Sequence, residues 1–520
     1  MKSKNFLNIT ILALFSFFIN FYSANIGVMP IDTFGFFDTG YSILNDHLPI
    51  RDYWAYTGIT VDYIQSFFFK VFGNNWYSYV IHSSIINVIS TLIFYFFLIE
   101  LKIPKLFSLI YALSFAILLY PVSGTPFAYL HAYILSLLGL MLFYIFLNSG
   151  KNKLLIIIPF IYFFAFFSMQ TPTIYIILIL TLFIIYSSLI LKKYEIIFIM
   201  TLGATISIAF LAFYLLVTKT NLKDLLYQYF LFPMSIAEGR IGSEAGAYVK
   251  LKDQLNFKRL LGDFKFIHLF FFPLIFILFK NFKEKKIDNL FYISLIFVLT
   301  TFALIYNQLL QANQIYIFSL IPILASLCHA NIIFRKKSSK IINWLIILFL
   351  IFVTVKFHYR YNVDRKFMEL EGIDKSISFN AKEIHPNLNG LNWITRSNKP
   401  NEDKIFIQNV IEILKNEKEK SYLFTHYQFF SAIFGKKFIL LNRWYIWDNN
   451  SHPTESHKYF SYYKEFASNN FEKNKIQKIF LISEKNEFKF NNIKNYFNNK
   501  CFKEEKLLEE RLIKLTLKNC

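Results

Sequence analysis

The first polar interval of the chain carries four closely spaced aspartates, Asp32, Asp38, Asp46 and Asp52, and Arg51 directly precedes the last of them. The interval follows a long apolar stretch, so these carboxylates lie close to a bilayer, where ionised groups are costly and call for a function. Taken singly, each also has a structural interpretation: Asp32 as a helix N-cap, Asp52 as an ion-pair partner, and the other two as solvated residues. As a group they indicate a site for acid–base chemistry.

The elements that position this interval are predicted to be membrane-spanning helices. The 520 residues are 55% hydrophobic, with a mean hydropathy of +0.40. Apolar runs of about 18 residues, enough to cross the hydrocarbon core as a helix, recur along the chain. We predict about eleven spans, at 6–24, 77–100, 106–120, 130–147, 154–168, 172–191, 196–217, 266–280, 289–306, 314–333 and 341–356. The fold class is therefore mostly α, a polytopic helical bundle.

Basic residues predict the orientation of this bundle. Every second connection between spans is rich in Lys or Arg, from Lys102 to Lys340, while the opposite short loops have neither. By the positive-inside rule the basic side is cytoplasmic. We therefore predict a multi-pass protein of the cell inner (plasma) membrane, with a cytoplasmic N-terminus and with the loops 25–76 and 218–265 outside. Because the net charge of +21 is largely explained by these loops, we predict no nucleic-acid partner.

The composition changes after residue 356, which we predict as the boundary between a transmembrane domain, 1–356, and a soluble domain, 357–520. Asn, Lys, Glu and Ser replace the apolar runs, and short apolar strands at 421–427, 437–444 and 478–483 alternate with helical patterns. Such alternation predicts a small α/β domain, here on the extracytoplasmic side. Cys501 and Cys520 share that side, where a disulfide is allowed; their sequence separation neither requires nor excludes the bond.

The first outer loop follows a recognisable order: an acidic residue, an aromatic pair, a turn, a proline and a second aspartate, here Asp32, Phe36–Phe37, Leu44–His47, Pro49 and Asp52. This order, together with the span layout and the C-terminal outer domain, resembles the GT-C glycosyltransferases, in particular the bacterial dolichyl-phosphate-mannose-mannosyltransferase-like family. The resemblance implies an inverting enzyme with Asp32 as the catalytic base and Asp52 as a second catalytic residue. Thr33 departs from the family's frequent Asp-Glu pair, so a paired-carboxylate or metal role at that point is not implied.

The donor implied by the resemblance is a polyprenyl-phosphate sugar, and the acceptor is an extracytoplasmic lipid, glycan or protein. Cations stabilise a departing phosphate, and Arg240, in a glycine-rich part of the second outer loop, is the candidate for that role. Polar residues near the outer ends of spans are candidates for holding the substrate: Asp38, His131, Gln170, Gln308, Gln311 and Gln314. No complete metal-ligand set is visible, and a divalent metal ion as cofactor stays open.

Two other classes of function compete with glycosyl transfer. A transporter or flippase of lipid-linked saccharides would show charged or Gly/Pro-broken segments at mid-membrane in related halves, which the sequence does not display. A glycan polymerase or ligase of another membrane class would keep its main chemistry in a large late outer loop, whereas here the early loop is the more suggestive one.

Overall fold

The structure is a computed structural model. It describes residues 2–190, 192–244, 247, 249–312, 316–334, 339–435, 437–446, 449–483, 493–497 and 500–518. Most of the chain is helical, and a small sheet region lies near the C-terminus.

Long apolar helices form most of the chain up to residue 357. Their order is α1 (Lys2–Ala24), α2 (Pro30–Thr33), α3 (Phe37–Leu44), α4 (Ile59–Phe72), α5 (Trp76–Glu100), α6 (Lys105–Leu118), α7 (Ala128–Ser149), α8 (Asn152–Ser168), α9 (Gln170–Leu189), α10 (Tyr194–Thr218), α11 (Leu222–Leu225), α12 (Phe232–Gly242), α13 (Leu251–Gln254), α14 (Lys265–Lys283), α15 (Asn289–Leu310), α16 (Leu320–Phe334) and α17 (Lys340–Phe357). Three single-turn π-helices interrupt or extend them: π1 (Leu226–Leu231), π2 (Lys258–Asp263) and π3 (His358–Val363).

Within the described ranges, eight helical segments are long and apolar enough to cross a membrane: Phe6–Ala24, Trp76–Glu100, Ala128–Ser149, Gln170–Leu189, Tyr194–Thr218, Lys265–Lys283, Asn289–Leu310 and Lys340–Met368. Three shorter apolar helices accompany them: Lys105–Leu118, Asn152–Ser168 and Leu320–Ile333. Each of the eleven predicted spans coincides with one of these segments, which confirms the prediction of a mostly helical protein with several membrane-spanning helices.

Local sequence signals determine where several of these helices begin and end. Asn75 and Asp288 each accept a hydrogen bond from a backbone amide of the first turn, at 3.0 Å from Ser78 N and 2.8 Å from Phe291 N. Such N-caps satisfy amides that have no partner within the helix. Gly150 ends α7 with a φ of +67°, a left-handed conformation that glycine adopts without strain.

Contacts between loops bring alternate helix ends together at one end of the bundle, which we call the loop end. Thr57 and Gly58 donate hydrogen bonds to Ser168 O, at 2.9 and 2.7 Å. Gln311, after α15, donates to Thr171 Oγ1, at the start of α9, at 3.1 Å. The first polar interval, the connection after α15 and the segment after α17 therefore share one face of the molecule.

The C-terminal region contains a five-stranded mixed sheet in the order β4-β3-β5-β7-β6. Its strands are β3 (Ser421–Thr425), β4 (Phe438–Ile439), β5 (Lys478–Ile482), β6 (Cys501–Leu507) and β7 (Leu512–Lys518), preceded by a two-residue pair, β1 (Phe379–Asn380) and β2 (Asn392–Trp393). The helices α18 (Pro400–Lys415), α19 (Phe430–Phe434) and α20 (Phe460–Lys473) lie between the strands. Strand β3 runs parallel to β4 and β5, whereas β7 pairs antiparallel with β5 and β6.

The predicted alternation of strands and helices is confirmed for the first part of this region: β3, β4 and β5 fall on the predicted strands, and α18 and α20 overlap the helical patterns predicted at 403–417 and about 453–466. The β6–β7 hairpin was not predicted, since its charged side chains, such as those of Lys503 and Glu504, hide an apolar alternation. Cys501 begins β6, whereas Cys520, the other cysteine of the disulfide that the sequence leaves open, lies outside the described residues.

Candidate active site

A cavity of about 730 Å3 opens at the loop end of the bundle, and we call it the Asp32 cavity. It is lined by residues from the connections after α1, α6 and α15, from the start of α14 and from the end of α17: Met29, Asp32, Phe127, Gly262, Asp263, Lys265, Phe266, Ala312, Tyr316, Lys356, Phe357, Arg360, Tyr361, Lys366, Phe367, Glu369 and Glu371. The lining combines carboxylates, cations and aromatic rings. Such a combination suits a ligand with a charged group and an apolar part.

Asp32 lies in the single-turn helix α2, which Pro30 begins at a position where a missing amide hydrogen costs nothing. Met29 N donates to Thr33 Oγ1 at 2.9 Å and so closes this turn. The residue at the position where the resemblance would have a second carboxylate, Thr33, therefore serves to hold the turn that carries Asp32.

The carboxyl group of Asp32 receives no hydrogen bond from any described residue, although the side chain is only partly exposed. Burial and, to a smaller extent, the negative charge of Glu369 together raise the pKa of Asp32 to about 7. A carboxyl group with a pKa near neutrality can both accept and release a proton under ordinary conditions.

Three cations of the cavity have no carboxylate partner. Lys265, Lys356 and Arg360 form no ion pair with another described residue, and their contacts are with aromatic rings: both lysines lie over Phe266, 5.4 and 5.2 Å from its ring centroid, and Arg360 lies over Tyr361. By contrast, two carboxylates of the rim are paired, Glu371 with Lys366 at 2.5 Å and Glu369 with Arg396 at 2.7 Å. The three side chains without an ion pair are therefore available to an anionic ligand, in a lining that also carries the carboxylates of Asp32 and Asp263.

Two of the three π-helices border this cavity. Gly262 and Asp263 belong to π2, and Arg360 and Tyr361 belong to π3. Single π-turns are rare and occur often at functional sites, because their wider turn changes the direction of the side chains that follow. Here π2 directly precedes α14 and π3 directly follows α17.

The wall that carries Glu369 is fixed by Arg365, a residue that the sequence analysis missed. Arg365 is fully buried, and its guanidinium donates to Ile26 O, Ser23 Oγ and Pro121 O at 3.2, 2.9 and 2.9 Å. Both Arg365 and Glu369 adopt left-handed backbone conformations, with φ of +54° and +56°. Non-glycine residues adopt this conformation rarely, and it persists where the surroundings hold it.

Asp52, the second predicted catalytic residue, does not line the Asp32 cavity. Its carboxylate is 2% exposed and accepts hydrogen bonds from Leu48 N at 2.8 Å, Arg51 Nε at 2.8 Å and Lys473 Nζ at 2.6 Å. Although burial opposes ionisation, the hydrogen bonds from Arg51, Lys473 and Leu48 prevail and lower its pKa. The structure thus places Asp52 in an ion-pair network between the first loop and α20.

Asp38 is buried, which corrects the expectation of a solvated helix face. Its carboxylate accepts from Ser431 N at 3.0 Å and Ala432 N at 2.9 Å, the free amides at the start of α19. Burial nevertheless raises the pKa of Asp38 to about 7, against the lowering effect of these hydrogen bonds. The residue joins α3 to the C-terminal region, and it does not line the Asp32 cavity.

A buried ion pair between Asp62 and Arg443 is a further connection that the sequence analysis missed. Arg443 donates to both Asp62 and the carbonyl of Thr57, and Asp62 also accepts from Thr39 Oγ1 at 2.5 Å and Tyr53 OH at 2.9 Å. Burial raises the pKa of Asp62 to about 6, although Arg443 acts to lower it. The signal for this pair was weak, because Asp62 lies inside an amphipathic helix and its partner is 381 positions away.

Arg240, the predicted phosphate ligand, lies at another place in the molecule. Its Nη2 donates to Asn450 Oδ1 at 2.7 Å. It lines a separate pocket of about 290 Å3 between α12 and the C-terminal region, together with Glu238, Glu244 and Lys458. The structure does not bring Arg240 to Asp32.

The predicted glutamine ligands connect loops rather than line the cavity. Gln170 Nε2 donates to Tyr56 O and Tyr229 O at 2.7 and 2.8 Å, and Gln311 bonds to Thr171. Gln308 is buried in the last turn of α15. The prediction for Gln314 falls outside the described residues, but the same connection reaches the cavity through Ala312 and Tyr316.

His131 belongs to a buried hydrogen-bonded chain at the loop end. Its Nε2 lies 3.0 Å from His82 Nε2 and its Nδ1 lies 2.8 Å from Tyr120 OH, while His82 Nδ1 lies 2.9 Å from Gln65 Oε1. His131 Nδ1 also lies 3.1 Å from Phe127 O, so this chain of polar groups joins α4, α5, α7 and the connection between α6 and α7. His131 therefore contacts protein groups and does not line the Asp32 cavity.

Within the described part of the chain, no group of three or more His, Cys, Asp or Glu residues is arranged to hold a metal ion. A comparison with protein-family models gave no match, and a comparison with curated proteins gave no significant match. The site is therefore interpreted from its own geometry.

Proposed function

We propose that this protein is a membrane glycosyltransferase of the GT-C type, which transfers a sugar from a polyprenyl-phosphate donor to an extracytoplasmic acceptor with inversion. The observation that supports it best is the Asp32 cavity. It combines an unoccupied carboxyl group of pKa about 7 with three unpaired cations, at the end of a bundle of membrane helices.

In the proposed reaction Asp32 accepts the hydroxyl proton of the acceptor while the acceptor oxygen bonds to the anomeric carbon. The bond between that carbon and the phosphate oxygen breaks, and polyprenyl phosphate leaves with the bonding electrons. Lys265, Lys356 and Arg360 stabilise its negative charge, the role that the sequence alone assigned to Arg240. A carboxylate base contributes about 100- to 10,000-fold to such a transfer.

We further propose that all eleven apolar helices cross the inner membrane, which places the loop end and the C-terminal region outside. The three shorter helices, such as α6 with 14 residues, fit this layout because their polar flanks lengthen the part of the chain that crosses the bilayer. The basic connections follow every second crossing and so lie on the same side as the N-terminus, the cytoplasmic side, while the odd number of crossings puts the C-terminal region on the opposite side.

The test is Asp32→Asn, compared with Asp46→Asn as a matched control. Asp46 lies in the same interval, but its side chain is 83% exposed and lies outside the cavity. We expect Asp32→Asn to abolish sugar transfer in purified membranes, while Asp46→Asn stays near wild type. Transfer by Asp32→Asn within threefold of wild type would contradict the proposal.

A second measurement separates chemistry from binding. Undecaprenyl phosphate, the expected leaving group, should bind Asp32→Asn as well as it binds the wild type, because the cations are unchanged. If a lipid-linked saccharide instead crosses the bilayer in proteoliposomes without any change in its glycosidic bonds, the protein is a flippase.

A further inference from the structure

One wall of the Asp32 cavity belongs to a segment with an unusual surface, residues 250–265, which we call the juxtamembrane segment. It includes α13 and π2 and leads directly into α14. Its apolar side chains point outwards: Phe257 is 81% exposed, Leu255 is 53% exposed and Leu261 is 48% exposed. In water, a contiguous exposed apolar surface of this kind would be unfavourable.

The exposure is imposed by the fold, because the segment is anchored on both sides. Leu251 and Phe264 are buried in the core of the bundle. Between them, Asn256 Oδ1 accepts from Arg259 N at 2.9 Å, and the ring of His268 bonds to Leu260 O at 2.7 Å. These contacts hold the backbone between the two buried residues, and Phe257 lies on its exposed side.

The same segment is strongly basic. It contains five cations and only two carboxylates. The cations are Lys250, Lys252, Lys258, Arg259 and Lys265, and the carboxylates are Asp253 and Asp263. The apolar surface also continues onto the exposed face of α14, where Leu269 and Phe272 are 50% and 54% exposed. A segment that continues the surface of a membrane helix and adds positive charge matches the layer of lipid headgroups.

We propose that the juxtamembrane segment is a binding surface for anionic phospholipids, with Phe257 and its neighbours inserted below the headgroups and Lys258 and Arg259 bound to lipid phosphate. Since Gly262, Asp263 and Lys265 also line the Asp32 cavity, the bound lipid forms part of the cavity rim on its membrane side. This inference depends on the fold alone and holds whatever reaction the cavity performs.

The test uses the full-length protein in nanodiscs of phosphatidylcholine and phosphatidylglycerol, with a photoreactive benzophenone amino acid in place of Phe257. The matched control carries the same amino acid in place of Ile405, which is 57% exposed on α18. After illumination, mass spectrometry should find lipid adducts at position 257 and none at position 405. Equal lipid labelling at both positions, or crosslinks from 257 to a second copy of the chain, would overturn the proposal.

The charge is tested in the same nanodiscs by adding Lys258→Gln and Arg259→Gln. Phosphatidylglycerol should be enriched among the wild-type adducts, and each lost cation should reduce this enrichment by up to about fivefold. The exchange of Lys382 and Lys415 for Gln, in the C-terminal region, should leave it unchanged. If the wild-type adducts reproduce the bulk lipid ratio, the assignment to anionic lipid is wrong.

Discussion

At the scale of single residues, the distinction that matters is which carboxylates remain unoccupied. Asp38, Asp52 and Asp62 are all occupied by amides, cations or hydroxyls of the protein, whereas no described residue bonds to the carboxyl group of Asp32. The partners of these three carboxylates take up the positions that a substrate hydroxyl would need, although burial also raises the pKa of Asp38 to about 7 and that of Asp62 to about 6. Asp32 is therefore the residue of the first polar interval that is suited to act as a base.

The ionisation of Asp32 predicts a pH dependence. With a pKa of about 7, the carboxylate form increases as the pH rises, so the rate of transfer should increase through about pH 7 and then level off. Glu369→Gln removes the negative charge that disfavours this carboxylate, so the midpoint should move to lower pH. Rates measured from pH 5 to 9 would show the shift.

Glu371→Gln provides the control for that experiment. Glu371 lines the same cavity but is paired with Lys366 and is not a cause of the raised pKa of Asp32. Its profile should match the wild type. An unchanged midpoint in Glu369→Gln would show that the two carboxyl groups do not interact.

The unpaired cations predict a loss of affinity for lipid phosphate. Lys356→Gln and Arg360→Gln should each weaken the binding of undecaprenyl phosphate by about 10- to 100-fold, the usual effect of one charge-assisted hydrogen bond. Arg240→Gln, in its separate pocket, should bind as the wild type does. Native mass spectrometry of the detergent-solubilised protein measures all three; a loss confined to Arg240→Gln would favour the sequence-based assignment instead.

At the scale of elements, the first outer loop and the C-terminal region are joined into one unit. The first outer loop forms the helices α3 and α4, and Tyr53 and Trp54 between them are buried. Trp54 N donates to Leu441 O at 2.8 Å, and the Trp54 ring packs 5.2 Å from that of Tyr463. The C-terminal region therefore packs against the loop that carries Asp32 and holds it in place.

The buried Asp62–Arg443 ion pair joins the first outer loop to the C-terminal region. Variants of this pair test how strongly the junction depends on one contact. Removal of one partner of a buried ion pair leaves an uncompensated charge and costs about 3–5 kcal/mol. We expect Arg443→Met to lower the thermal stability markedly and Asp62→Leu to do the same. The double variant should recover part of the loss, because it leaves no lone charge, and thermal unfolding in detergent measures the difference.

The exposed ion pair between Arg396 and Glu369 serves as the control for the buried Asp62–Arg443 pair. These side chains are 55% and 48% exposed, so Arg396→Gln should change stability by less than about 1 kcal/mol. Equal destabilisation by Arg396→Gln and Arg443→Met would mean that the buried pair is not what holds the junction.

At the scale of the whole molecule, the arrangement is a helical bundle with its polar connections and its sheet region gathered at the loop end. The opposite end carries the basic connections that begin with Lys102. This separation predicts that cysteines at Lys252 and Ile405, both exposed at or beyond the loop end, react with an impermeant maleimide in intact cells. A cysteine at Lys285, on the basic side, should react only after permeabilisation, and the reverse pattern would invert the proposed orientation.

The sequence by itself determined the number and position of the apolar helices, because the bilayer requires a fixed length of apolar residues and their runs are visible without any contact. It also pointed to Asp32 and to the strands β3 and β5, whose local patterns are strong. Only the tertiary structure decided which charges are free, because the partners that occupy Asp38 and Asp62 lie 393 and 381 positions away. Distance in sequence also hid the cations of α14, α17 and π3, which line the same cavity as Asp32 only because alternate helix ends come together at one end of the bundle.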